Sequence, residues 1–138
     1  MVWGPLSTIA RWRRRSRVSP SVQAAAIRVG TDLVSASDVA SSIETFGDRY
    51  VRRIYTAQEA RTCTGPDGRP APDRLAARFA AKEAVVKALR PTGGVDHREI
   101  EIRHADDGSP ECVLTGSMHD HAELVGLYDS SLSLTHDA

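Results

Sequence analysis

Asp32, Glu83 and Lys87 are residues whose types and setting in this chain could do chemistry. Asp32 interrupts the apolar run "AAAIRVGTDLV", between Val29 on one side and Leu33 and Val34 on the other. A carboxylate taken out of water without a partner is costly, so the position calls for a salt bridge, backbone N–H donors or a metal ion. Glu83 and Lys87 lie in "RFAAKEAVVKAL", residues 78–89. The chain has sixteen arginines and two lysines, and both lysines, Lys82 and Lys87, fall in this segment. On a helix, Glu83 four residues before Lys87 can form a surface ion pair worth about 0.2–0.5 kcal/mol, which needs no function. That pair leaves Phe79 unexplained, four residues before Glu83 on the same face. A stripe of aromatic ring, carboxylate and ammonium also suits a phosphate ligand. The carboxylate would share a divalent cation with the phosphate, and the ammonium would answer the remaining charge as a compact point charge. Lys82, about 100° round the helix from Glu83, points instead to a structural pair or a subunit contact.

The elements that must position these groups can be traced along the chain. The run ending in "RVGTDLV" predicts a buried strand, apolar on both sides. Val39, Ile43 and Phe46 recur at helical spacing, with Gly47 as a break. Thr56 and Glu59 are spaced as a capping box. "TGPDGRPAPD" is a loop, after which Asp73 stands as the N-cap of a helix carrying Phe79, Glu83 and Lys87 and ended by "RPTGG". "REIEIRH" and "ECVLTG" predict two strands joined by "ADDGSP". Met118, Ala122 and Val125 mark a further helix behind a Ser117 cap, and "SSLSLTH" a closing strand. Without regular βαβ alternation the expected class is α+β: a small antiparallel sheet packed against helices, with one long central helix.

Length and composition describe one ordinary globular domain of 138 residues, 41% apolar and 26% charged, with no apolar run long enough to span a bilayer. Cys63 and Cys112 form no CxxC pattern and read as two reduced, buried thiols of a cytoplasmic protein. The net charge is zero, yet residues 1–28 hold six arginines and no acid, so the remainder carries 12 basic against 18 acidic residues, a balance of −6. Residues 1–25 are expected to be a basic, disordered extension and 26–138 the folded domain. An organelle transit peptide and a nucleic-acid-binding arm are the competing readings of the arginine-rich head; nucleic acid is not expected as a partner.

"VGTDLV", "RFAAKEAVVKAL", "DGSP" and "SLTH", in that order between Val29 and His136, resemble the holo-acyl-carrier-protein synthase family of 4′-phosphopantetheinyl transferases. "FGDRYVRRIYTAQEARTC" also resembles the family's segment between the two acidic motifs. The resemblance implies that coenzyme A is cut at its pyrophosphate and that the 4′-phosphopantetheine arm passes to a serine of an apo acyl carrier protein, releasing adenosine 3′,5′-bisphosphate. It implies Mg²⁺ held by Asp32 and Glu83, with Lys87 on a phosphate. Phe79, Gly108, Pro110 and His136 would lie beside the cofactor. The base that takes the serine proton is left between a metal-associated water and Glu83. A homotrimer with sites between subunits, acting in fatty acid biosynthesis and lipid metabolism, is the expected setting, although these residues do not distinguish fatty-acid, polyketide and peptide carriers. The alternative is a non-catalytic module of the same fold that binds coenzyme A or a carrier protein.

Two features depart from the family pattern. Asp38 stands six after Asp32, where many members carry a basic residue that docks the carrier, so Arg49, Arg52 and Arg53 become the candidate docking surface. Members usually continue past S-x-x-H with another apolar strand, which implies that this strand is missing or that the sheet is completed otherwise. His97 and His104 are expected to be solvated, His119 and His121 to point in different directions. Arg69, Arg74 and Arg78 are candidates for the 3′-phosphate of coenzyme A, or simple surface residues.

Overall fold

The computed structural model describes residues 27–135, together with the backbone of residues 8–13. The order is β1 (Thr8–Arg13), α1 (Ala36–Phe46), α2 (Asp48–Ile54), α3 (Ala57–Thr62), α4 (Pro72–Leu89), a 3₁₀ turn (His97–Glu99), β2 (Ile100–His104), β3 (Pro110–Leu114), α5 (Gly116–Leu124) and β4 (Asp129–Leu134). The class is α+β, as expected, and α4 is the long central helix. Its strands pair as two antiparallel ladders, β1 with β4 and β2 with β3. Thr8–Arg13 falls within the head expected to be a disordered extension and is instead a strand on β4.

Each helix has a legible local cause. Ser35 caps α1, its hydroxyl accepting from the Ser37 amide. Gly47, at φ 56°, turns the chain from α1 into α2. The capping box of α3 forms as the spacing predicts, Thr56 Oγ1 accepting from the Glu59 amide and Glu59 Oε2 from the Thr56 amide. Helix α4 corrects the expected cap: it starts at Pro72, Ala71 is the N-cap, and Asp73 lies in the first turn. Proline needs no amide hydrogen bond and has its φ preset, so the helix begins one residue before the aspartate. Helix α5 departs in a similar way. Thr115 is its N-cap, and the Glu99 carboxylate accepts from the Ser117 hydroxyl and the Met118 amide across Gly116.

Two apolar clusters meet α4. One joins Ala81 and Leu89 to Ile100, Ile102, Cys112, Leu114, Met118 and Ala122; the other gathers Val39, Val51, Tyr55, Cys63, Leu75 and Ala76. Helix α4 therefore lies between the β2–β3 hairpin and the α1–α3 layer, and its remaining face carries Phe79, Glu83 and Lys87.

The expected buried strand around Asp32 is not one. Residues 27–35 run extended, but no strand pairs with them among the described residues. The alternation explains why: Gly30, Asp32 and Val34 face inward, whereas Ile27, Val29 and Leu33 are 91%, 76% and 94% exposed. The segment lies against α4 on one side only.

Candidate active site

Gly30 brings Asp32 to α4. A Cβ at this position would lie 1.8 Å from the Ala84 carbonyl oxygen, so only glycine permits so close an approach of the two backbones. Arg28 adds a hydrogen bond from its guanidinium to the Ala88 carbonyl at 3.3 Å. Two residues beyond Gly30, the Asp32 carboxylate accepts a hydrogen bond from Lys87 Nζ, which also donates to the Thr31 carbonyl at 3.2 Å. Lys87 is still 53% exposed and Asp32 17%. The Glu83–Lys87 surface pair is not formed, because Lys87 turns to Asp32 and Glu83 to His97.

His97, expected to be solvated, is partly buried in the site. Its Nε2 donates to Glu83 Oε1 at 2.5 Å, and its ring lies 5.5 Å from that of Phe79 at 54°. Fourteen residues and a Gly-Gly loop separate it from Glu83, so no helical spacing could announce the contact. Asp96 was the available signal, an N-cap whose carboxylate accepts from the Arg98 amide and sets the 3₁₀ turn.

Lys82, by contrast, is wholly buried. Its ammonium donates to Glu59 Oε2 at 2.7 Å, to the His97 carbonyl at 2.8 Å and to the Ile100 carbonyl at 2.6 Å. Glu59, equally buried, also accepts from the Ile102 amide at 2.9 Å. Burial pulls the Lys82 ammonium below the usual lysine range, while the Glu59 carboxylate acts in the opposite sense. The structural pair expected of Lys82 is thus found, and it ties α3 and α4 to the start of β2.

Further along α4, Arg78 is only 6% exposed; its guanidinium reaches the Arg74 carbonyl at 3.4 Å, and its Nε has no partner. Arg69 and Arg74 are exposed. Burial and the Arg78 charge hold the His104 imidazole below the usual histidine range. Arg78 thus lies within electrostatic reach of His104 at the end of β2, roughly 14 Å of helix rise from Lys87. Gly108, at φ 81°, forms the "DGSP" hairpin, and Pro110 is buried where β3 begins. These contacts set Gly108 and Pro110 toward the opposite end of α4 from Asp32 and Lys87; His136 lies outside the described residues. His119 and His121 have separate partners, Asp120 and the Leu89 carbonyl. Both cysteines are free and buried, and burial pushes the Cys112 thiol up to about 12.

The sequence model of the 4′-phosphopantetheinyl transferase superfamily matches residues 28–135, the whole of this framework from Arg28 to the end of β4. The chain belongs to that superfamily. A holo-[acyl-carrier-protein] synthase of Koribacter versatilis is 39% identical over 109 residues, 78% of this chain and 86% of that protein. The crystal structure of holo-[acyl-carrier-protein] synthase from Neisseria meningitidis superposes with a TM-score of 0.63 at 27% identity, covering 80% of this chain and 98% of the other. A Bacillus anthracis holo-(acyl-carrier-protein) synthase, solved in complex with CoA (3′,5′-ADP), is 30% identical at a TM-score of 0.54, covering 64% and 76% of the two chains. For a phosphopantetheinyl transferase the lining of α4 is chemically apt: carboxylates, an exposed ammonium and a buried guanidinium along one helix.

Proposed function

We propose that this chain is a Mg²⁺-dependent holo-acyl-carrier-protein synthase. It cuts coenzyme A at the pyrophosphate, transfers the 4′-phosphopantetheine arm to a serine hydroxyl of an apo acyl carrier protein, and releases adenosine 3′,5′-bisphosphate. The observation that carries this reading is the seating of Asp32 on α4 beside Lys87, one helical turn from Glu83.

The donor set fits the metal. Two partly exposed carboxylates offer hard oxygen ligands, and Mg²⁺ needs only one or two of these when it keeps waters and shares phosphate oxygens. Asp32 and Glu83 would hold Mg²⁺, which when bound neutralises charge on the phosphoryl oxygens. Lys87 has three N–H donors, of which Asp32 and Thr31 occupy two, and the third is available to a phosphate. Phe79 and His97 form the wall beside it. Arg78, with its unpartnered Nε, would serve the nucleotide's 3′-phosphate, with Gly108 and Pro110 beside the nucleotide.

The carrier would dock on Arg49, Arg52 and Arg53, which with Phe46 and Asp48 line an open recess of about 570 Å³. Helix α1 offers no basic residue, only Asp38 and Glu44 as charges. Arg52→Glu with Arg53→Glu should raise KM for the carrier at least tenfold with kcat little changed; an unchanged KM removes this docking site. A cytoplasmic homotrimer completes the reading, covering the exposed Ile27, Val29 and Leu33, and light scattering would test it.

Incubation with coenzyme A, Mg²⁺ and an apo carrier, followed by mass spectrometry of the carrier, tests the function. A phosphopantetheine-sized gain that a chelator abolishes is the expected result. Binding of coenzyme A or the carrier with no gain in mass would make the chain a binding module instead.

A further inference from the structure

We infer that His97 is a positioning residue for the candidate metal site, holding the Glu83 carboxylate so that one of its oxygens is turned to the cation. The inference rests on the reading of Asp32 and Glu83 as metal ligands and adds a residue that sequence patterns did not single out. A carboxylate accepts hydrogen bonds and cannot donate, so His97 Nε2 supplies the proton to Glu83 Oε1 at 2.5 Å. Among the described residues no other side chain is bonded to Glu83. Oε1 is therefore committed to the histidine, and Oε2 is left for a cation.

His97 is itself held from three directions. Its carbonyl accepts from the buried Lys82 ammonium, its ring rests on Phe79, and the 3₁₀ turn beneath it is capped by Asp96. Lys82 and Glu83 are adjacent in sequence but point to different sides of α4. Through His97 the buried lysine fixes the glutamate that it cannot touch, the backbone contact setting the ring and the ring setting the carboxylate. A freely rotating glutamate would lose rotamer freedom on binding a cation; one already held loses less.

Two variants separate the hydrogen bond from the packing. His97→Phe keeps a ring against Phe79 and removes the donor, whereas His97→Gln keeps an N–H donor of similar reach. Mn²⁺ binding in the presence of coenzyme A, followed by electron paramagnetic resonance, should weaken roughly 10- to 100-fold in His97→Phe and recover most of that loss in His97→Gln. The Mg²⁺ concentration that half-saturates turnover should rise in parallel, with turnover largely restored at saturating Mg²⁺. Mn²⁺ affinity of His97→Phe within twofold of wild type, or equal losses in the two variants, overturns the role given to His97. No Mn²⁺ binding by the wild-type protein overturns the metal reading itself.

Discussion

Lys82 and Lys87, five residues apart on α4, use the same ammonium group in opposite ways. Lys82 is wholly buried with all three donors taken up, by Glu59 and by two backbone carbonyls. Lys87 is half exposed, with Asp32 and Thr31 answering two of its donors and solvent in reach of the third. A saturated buried cation can only hold structure, because any ligand would have to displace a partner that nothing else could satisfy. A partly answered cation at the surface costs little to leave open and can take a phosphate. One helix thus carries a fastening on one side and, on the other, the exposed ammonium we propose for phosphate, about 140° apart.

The largest break in that contrast should come from Lys82→Ala. It leaves the Glu59 carboxylate buried and unpaired, at a cost of about 3–5 kcal/mol in urea unfolding. Adding Glu59→Gln should return part of the loss, since the buried charge goes with it; a double variant worse than the sum of the singles would contradict a purely structural pair.

Lys87→Ala should do the reverse. Transfer should fall by about 10²-fold or more, with stability changed by under about 1 kcal/mol, the range for an exposed pair. A variant that unfolds but, while folded, turns over normally would erase the distinction.

Gly30→Ala sharpens the site half of the comparison. Its Cβ would meet the Ala84 carbonyl, a backbone atom that cannot swing aside, so about 1–3 kcal/mol of stability should be lost as Asp32 is lifted from α4. Activity should fall more than stability alone explains, measured at a temperature where the variant is fully folded.

The smallest effect belongs to acid titration of the turn that carries His97. Hydrogen bonds from the Arg98 side chain and amide hold the Asp96 carboxyl at about 2, below its ordinary 3.8. A depressed folded value means that this contribution is present above pH 3.8 and is lost as pH falls through 2. Asp96 is largely solvated, so Asp96→Asn should only flatten the acid limb of the stability curve slightly in that window.

Periodicity and capping made much of this legible: the Thr56–Glu59 box, the β2–β3 hairpin and the shared face of Phe79, Glu83 and Lys87 follow from local spacing, whereas of the Val39, Ile43 and Phe46 stripe only the first two pack inward and Phe46 is 62% exposed. Asp32 was legible as an anomaly, a carboxylate in an apolar run, yet its partner Lys87 lies 55 residues away. Local patterns fail for the same reason at Lys82–Glu59 and Glu83–His97, where the contacts join elements that meet only when the core closes. The strand predicted at Asp32 failed because apolar composition does not reveal that one side is left uncovered. The starts of α4 and α5 moved because Pro72, with its φ preset, opens α4 one residue before Asp73, and the distant Glu99 carboxylate answers the first turn of α5 in place of a Ser117 cap.

Anomalous scattering from crystals grown with Mn²⁺ and coenzyme A tests most directly whether Asp32 and Glu83 serve one cation. A single peak bounded by both carboxylates, with Lys87 on a phosphate beside it, is the predicted result. A peak elsewhere, or density for coenzyme A with no ion between the two carboxylates, would contradict it.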